Sequence, residues 1–286
     1  MSNRRGRPEG AWKIGFTVVA VAASLLFVRL GIWQMHRLGE KRAASAVRQQ
    51  REARPPLELA DVAARLGASP AAADTELAWR RVRLAGRWDY DHEVLIRGRS
   101  FEGTPGVYVV TPLIPDAAGA DSSRTHSTEL PVLRGWLPSP DAMTPVTIST
   151  SPSGLGADEE RTGVLLRSAP GAGQPVIAAG EGADRRPTLA ALDMDAITDL
   201  AGDSVTILPM FAHLEPAEED STAIRRGEPL AFPIPDPGNG PHLSYAIQWF
   251  SFALITLVGT WAFVYRRPKA VRRPAGPPVS GDPTPG

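Results

Sequence analysis

The chain has 286 residues, in which 31 basic and 31 acidic side chains cancel, so no global field draws it to nucleic acid or to an acidic substrate. Cysteine is absent, which excludes disulfides, thiol nucleophiles, thiolate zinc sites, iron–sulfur clusters and covalent c-type haem. A hydrophobic content of 43% and a charged content of 22% belong to a globular protein, while a mean hydropathy of −0.14 is too polar for a polytopic transporter.

Residues 1–11 form a short basic terminus with Arg4, Arg5 and Arg7. Residues 12–33 read as a first membrane span: Ile14 to Val28 is uncharged, Arg29 snorkels, and Trp12 and Trp33 stand at the two borders. A cleaved signal peptide fits less well, because the small residues Ala20 to Ser24 are followed by more apolar chain, Leu25 to Val28. Gln34 to Arg54 is charged and alanine-rich, and predicts a helix continuing beyond the membrane until Pro55-Pro56 stops it. Asp61 to Leu66 adds a helical turn or two.

Short segments of strand character follow. Arg80 to Trp88 alternates, with Val82, Leu84 and Gly86 on one face and Arg81, Arg83 and Arg87 on the other. Glu93 to Arg97, Val107 to Thr111, Leu130 to Trp136, Arg161 to Arg167 and Val205 to Phe211 are further strands, bounded by Gly, Pro and Asp. Leu189 to Leu200 has helical spacing. Residues 114–129 and 150–160 read as surface loops, and no internal repeat is visible. The expectation is an α+β fold: a β-rich extracytoplasmic domain over 34–240, flanked by two transmembrane helices.

The second span is 243–265, a run of 23 residues without Asp, Glu, Lys or Arg. At ~1.5 Å per residue it crosses a ~30 Å hydrocarbon core with some tilt. Residues 266–286 form a tail that is rich in Pro and Gly from 268 onward and is expected to be disordered. Arg266, Arg267, Lys269, Arg272 and Arg273 follow the span, and no basic residue occurs from Phe232 to His242 before it. The basic flank places the C-terminus in the cytoplasm, and two spans bring the N-terminus to the same side.

Catalytic motifs are missing: there is no G-x-S-x-G, H-E-x-x-H, P-loop or G-x-G-x-x-G, so no catalytic residue is proposed. Asp89 to Glu93 is a dense polar cluster able to hold a cation, but reads more simply as a charged hairpin turn. His126 reads as solvated, and His213 as hydrogen-bonded at a strand rim. The membrane borders are more informative. Helical spacing puts His242, Tyr245, Ala246, Trp249 and Ala253 on one face, and stacks Arg29, Trp33 and Arg37 on the first span. With this topology, His242 and the stretch Trp33 to Arg37 share the outer border. These groups suit two readings: an aromatic and basic belt at the headgroups, or a site for a flat amphipathic ligand such as haem, with an axial imidazole, aromatic walls and cations for propionates.

The same residues resemble the surfeit locus protein 1 family. The resemblance lies in Leu30-Gly31-Ile32-Trp33-Gln34 with Arg37 and Lys41, Arg83-Leu84-Ala85-Gly86-Arg87-Trp88, Gly106 to Leu113, Val132 to Pro138, and Asn239 followed by His242 to Phe250, all in the family's order. Leu133 departs from the Asn that commonly precedes Arg-Gly-Trp. The resemblance implies an assembly factor, not an enzyme, for haem–copper terminal oxidases, mainly cytochrome c oxidase. It also implies a protein that binds haem a and passes it toward oxidase subunit I, in contact with other assembly factors and the lipid bilayer. The family's proposed haem ligand falls on His242, here also the metal ligand. Trp33, Trp249 and Tyr245 as walls and Arg29 or Arg37 as propionate partners follow from helical phase alone. A bacterial inner membrane is the expected location. The alternative is a haem-free scaffold that stabilises oxidase assembly intermediates; a membrane-tethered hydrolase would need a nucleophile–base pair.

Overall fold

In the computed structural model, residues 9–68, 76–116, 126–140, 148, 161–168, 177–178, 186–216, 224, 227–235, 238 and 240–266 are described. The expected loop at 150–160, the tail from 268 and Asn239 lie outside them. The chain divides into two units, residues 1–43 with 237–286, and residues 44–236.

Helix α1 (Glu9–Glu52) is a single helix through the first apolar segment and the charged stretch after it. It stops two residues short of the expected Arg54, because Pro55 removes a backbone donor and disfavours helical geometry at the residue before it. In the first unit it packs against α4 (His242–Tyr265) in antiparallel fashion. Phe16 meets Phe263, Ser24 Oγ lies 3.4 Å from Ala253 O, and Gln34 meets His242. The buried positions Ala20, Ser24, Gly31 and Leu38 recur at steps of four and seven, as do Ala246, Ala253, Thr260 and Val264. That is the seam of a left-handed helix pair. Small residues let the backbones approach: a Cβ on Gly31 would stand 2.6 Å from the Phe250 ring. Leu25, Ile32, Leu254, Ile255 and Phe263 are exposed on the outer faces, and both helices are long and apolar enough to cross a membrane.

The second unit is built on a mixed eleven-stranded sheet. Its strands are β1 (Leu57–Glu58), β2 (Arg81–Arg83), β3 (Gly86–Trp88), β4 (Val94–Phe101), β5 (Thr104–Pro115), β6 (Ser127–Pro138), β7 (Thr162–Arg167), β8 (Ile177–Ala178), β9 (Pro187–Leu189), β10 (Val205–Ile207) and β11 (Met210–Leu214). The order is β1-β2-β7-β11-β6-β5-β4-β9-β8, with β10 on β6 and β3 on β5. The long antiparallel ladder of β5 with β6 forms its centre. Strands β4 and β5 join through Glu102 and Gly103, whose φ values of 49° and 81° are those of a two-residue hairpin turn.

Helices α2 (Leu59–Ala68) and α3 (Met194–Ala201) pack into separate apolar clusters. Leu59, Val62 and Leu66 of α2 join Leu130, Val132, Leu165 and Ala212. Ile197 and Ala201 of α3 join Ile96, Leu133, Trp136, Phe211 and Phe232. Neighbours in one strand, Val132 and Leu133 or Ala212 and Phe211, thus serve opposite faces. Strand β6 is buried from Glu129 to Leu137, which explains its nearly unbroken run of apolar residues.

Several sequence expectations change. Arg80 to Trp88 is two strands, β2 on β7 and β3 on β5, since the chain leaves one partner for the other at Leu84-Ala85. Val205 to Phe211 is likewise two, broken at Leu208-Pro209, where proline has no amide hydrogen to continue the ladder. Leu189 belongs to β9, and α3 begins only at Met194, where the Asp193 carboxylate accepts from the amides of Asp195 and Ala196. Ser127 to Glu129, expected in a loop, pairs with β10. His213 is buried rather than at a rim.

Candidate functional site

The first unit places the expected border residues with respect to one another. His242 opens α4, and its Nδ1 lies 2.8 Å from Gln34 Oε1. A carboxamide oxygen only accepts, so Nδ1 donates its hydrogen and Nε2 is the nitrogen not used in this contact. Gly240, at φ 64°, stands beside that second nitrogen: a Cβ there would lie 3.3 Å from Nε2 and from Cδ2. The bare glycine therefore keeps a Cβ away from Nε2. This is the orientation by a partner hydrogen bond that metal-binding imidazoles use.

Trp249 lies on the same face of α4, stacked on Phe27 with ring centroids 5.7 Å apart and 24° between planes. Tyr245 is exposed on the flank. Arg29, Trp33 and Arg37 do form one stripe of α1, but it is an exposed stripe, and Arg37 pairs with Glu40 at 2.7 Å. The residue of α1 that meets His242 is Gln34, about 100° further round the helix than Trp33. The convergence expected from phase thus reduces to His242, Gln34 and Gly240, with Trp249 behind. The overlooked signal was the seven-residue recurrence of small residues on both spans, which marks the facing stripe and carries Gln34 with it.

In the second unit the quoted motifs meet in a buried charge network. Arg134 Nη1 lies 3.1 Å from Glu93 Oε2, Arg186 Nε 2.6 Å from Glu93 Oε1, and the Thr111 hydroxyl donates to Glu93 Oε2 at 2.5 Å. The Glu93 side chain has no exposed surface. The Arg134 guanidinium also lies 5.5 Å from the ring centres of both Trp88 and Tyr90. Its neighbours in the motif are structural too. Trp136 exchanges backbone hydrogen bonds with Leu230, and Gly135, at φ 156°, lies so close that a Cβ would meet Leu230 O at 2.4 Å. Gly135→Ala is expected to lower unfolding stability by about 1–3 kcal/mol, since backbone atoms cannot yield as a side-chain tip can. Denaturant unfolding followed by tryptophan fluorescence measures it, and an unchanged midpoint would contradict that packing.

A cleft of about 470 Å³ in this unit is lined by Arg48, Arg81, Arg161, His213, Glu215 and Pro233, among others. Its charges are largely matched: Arg48 pairs with Glu52 at 2.7 Å and Arg81 with Glu215 at 2.8 Å. The His213 Nε2–H donates to Phe232 O at 2.7 Å, and burial pushes this imidazole below its ordinary value. Among the described lining residues no nucleophile stands beside a free base.

A mixed-sheet α+β domain flanked in the chain by two apolar helices, the second opening on a hydrogen-bonded imidazole, defines the class: a domain with two candidate membrane spans. The SURF1 family model matches residues 21–254, most of the chain, and the chain belongs to this family. The family is associated with cytochrome oxidase assembly. No curated protein matches the chain.

Proposed function

We propose that this protein is a membrane-anchored assembly factor for haem–copper (cytochrome c) oxidase that binds haem a through His242 and assists its insertion into subunit I. The observation that carries this reading is the His242–Gln34 hydrogen bond, which engages Nδ1 and leaves Nε2, beside the bare Gly240, as the nitrogen for a ligand. The residues fit the group: an imidazole nitrogen suits iron, and the chain offers no thiolate to compete. When bound, haem a supplies the iron centre that the oxidase needs. The chain supplies the axial nitrogen and the hydrogen bond that fixes its direction. Trp33, Tyr245 and the cations Arg29 and Arg37 stand on exposed helix faces, where they can serve a ligand or lipid headgroups. Both termini are assigned to the cytoplasm of a bacterial inner membrane, on the strength of the basic run from Arg266 to Arg273.

The test is the absorption spectrum of detergent-purified protein from cells that make haem a, beside His242→Ala. The wild type is expected to show haem a bands and the variant to lose them while remaining membrane-inserted. An unchanged spectrum in the variant would overturn the ligand. A colourless wild type that still retains oxidase subunits would favour a haem-free scaffold. That second reading has its own support in Trp249, already stacked on Phe27, and Arg37, already paired with Glu40.

A further inference from the structure

A second set of ligand atoms lies in the other unit. Asp89 and His92 belong to the connection between β3 and β4, and Glu129 to β6. The topology brings them together because β3 and β6 both pair with β5, at Trp88↔Leu113 and Leu113↔Leu130. Trp88, Leu113 and Leu130 share the face packed against α2. The adjacent residues, Asp89 just after Trp88 and Glu129 just before Leu130, therefore turn to the opposite face. There one donor atom from each of Asp89, His92 and Glu129 lies within 4.8 Å of the others.

The decisive group is Glu129. It is fully buried, and the Ser127 hydroxyl donates to its Oε1 at 2.6 Å. Among the described residues no donor reaches its Oε2. A dry carboxylate oxygen left without a donor is costly, and its neighbours here are the carboxylate of Asp89 and the His92 ring, 2.8 Å apart. Two carboxylates cannot hydrogen-bond without a proton between them, whereas a cation satisfies both at once. An imidazole as third member selects a borderline divalent ion over calcium or magnesium.

We infer that Asp89, His92 and Glu129 form a site for a divalent first-row transition ion of zinc-like chemistry. Zinc bonds of about 2.0–2.2 Å place tetrahedral ligands about 3.4 Å apart, so the donor separations adjust by up to ~1.4 Å on binding, the 2.8 Å Asp89–His92 contact opening. The ion would pin the β3–β4 connection to β6, a structural role separate from His242 and independent of haem.

The test uses the full chain in detergent, without a polyhistidine tag and stripped by a chelator, titrated with zinc chloride in a calorimeter. One equivalent is expected to bind, and to raise the unfolding temperature, in both the wild type and His242→Ala. His92→Ala changes a partly exposed turn residue, so it keeps the fold, and is expected to weaken binding by more than about 100-fold. Glu129→Gln is expected to lose the equivalent as well. Absence of zinc uptake by the wild type, or equal uptake by His92→Ala, would overturn the site and leave a proton shared between Asp89 and Glu129.

Discussion

Glu93→Gln is expected to cost the second unit about 3–5 kcal/mol, a large part of the 5–15 kcal/mol that holds a domain folded. Glu93 has no exposed side-chain surface and takes ion pairs from Arg134 and Arg186, whose side chains are 6% and 14% exposed. Neutralising it removes the anion that both guanidiniums share, and Arg134, the more buried of the two, loses its charge partner. Arg134→Met is a milder change, because the Glu93–Arg186 pair survives and the methionine still fills space beside Trp88 and Tyr90. The expected order of unfolding midpoints is therefore wild type, then Arg134→Met, then Glu93→Gln, read from urea unfolding at pH 7. The reverse order of the two variants would show that the network is not anchored on the carboxylate.

Gln34→Leu is expected to weaken haem a binding by about 10–100-fold, the usual loss when the partner that orients a ligating imidazole is removed. Leucine fills similar volume, so the helix pair persists; what disappears is the acceptor that keeps the hydrogen on Nδ1. Gln34→Glu keeps an acceptor at the same place and is expected to retain binding. Gly240→Val attacks the other side of the ring, putting a Cβ 3.3 Å from Nε2, at a φ that branched residues avoid, and is expected to resemble His242→Ala. Titration of haem a into the purified variants, followed by the Soret band, measures all three. Wild-type affinity in Gln34→Leu together with its loss in His242→Ala would leave His242 as ligand and remove Gln34 from the site.

These two predictions rest on contacts that differ in how far the chain displays them. His242 is visible at the head of an uncharged run, and Arg134 and Trp136 inside a short motif. Glu93 reads as one more acid in a turn, because its two arginine partners lie 41 and 93 residues further along and nothing local announces them. Gln34 sits beside Trp33 in the quoted stretch, yet aromatic and charged residues drew attention to the neighbouring stripe. Glu129 reads as a loop acid because the strand it pairs with, β10, lies more than seventy residues further along the chain.

Local pattern was enough to read the two long apolar helices, the α+β character of the domain between them, and where most of its longer strands lie. These follow from run length and period, which act over a few residues and need no partner. Which helix stripe faces the other, where Arg80 to Trp88 and Val205 to Phe211 divide between partners, and which buried charges meet are visible only once the chain is folded. Those outcomes depend on pairing across the sheet and on packing between helices, where a residue's burial is set by segments far away in the chain.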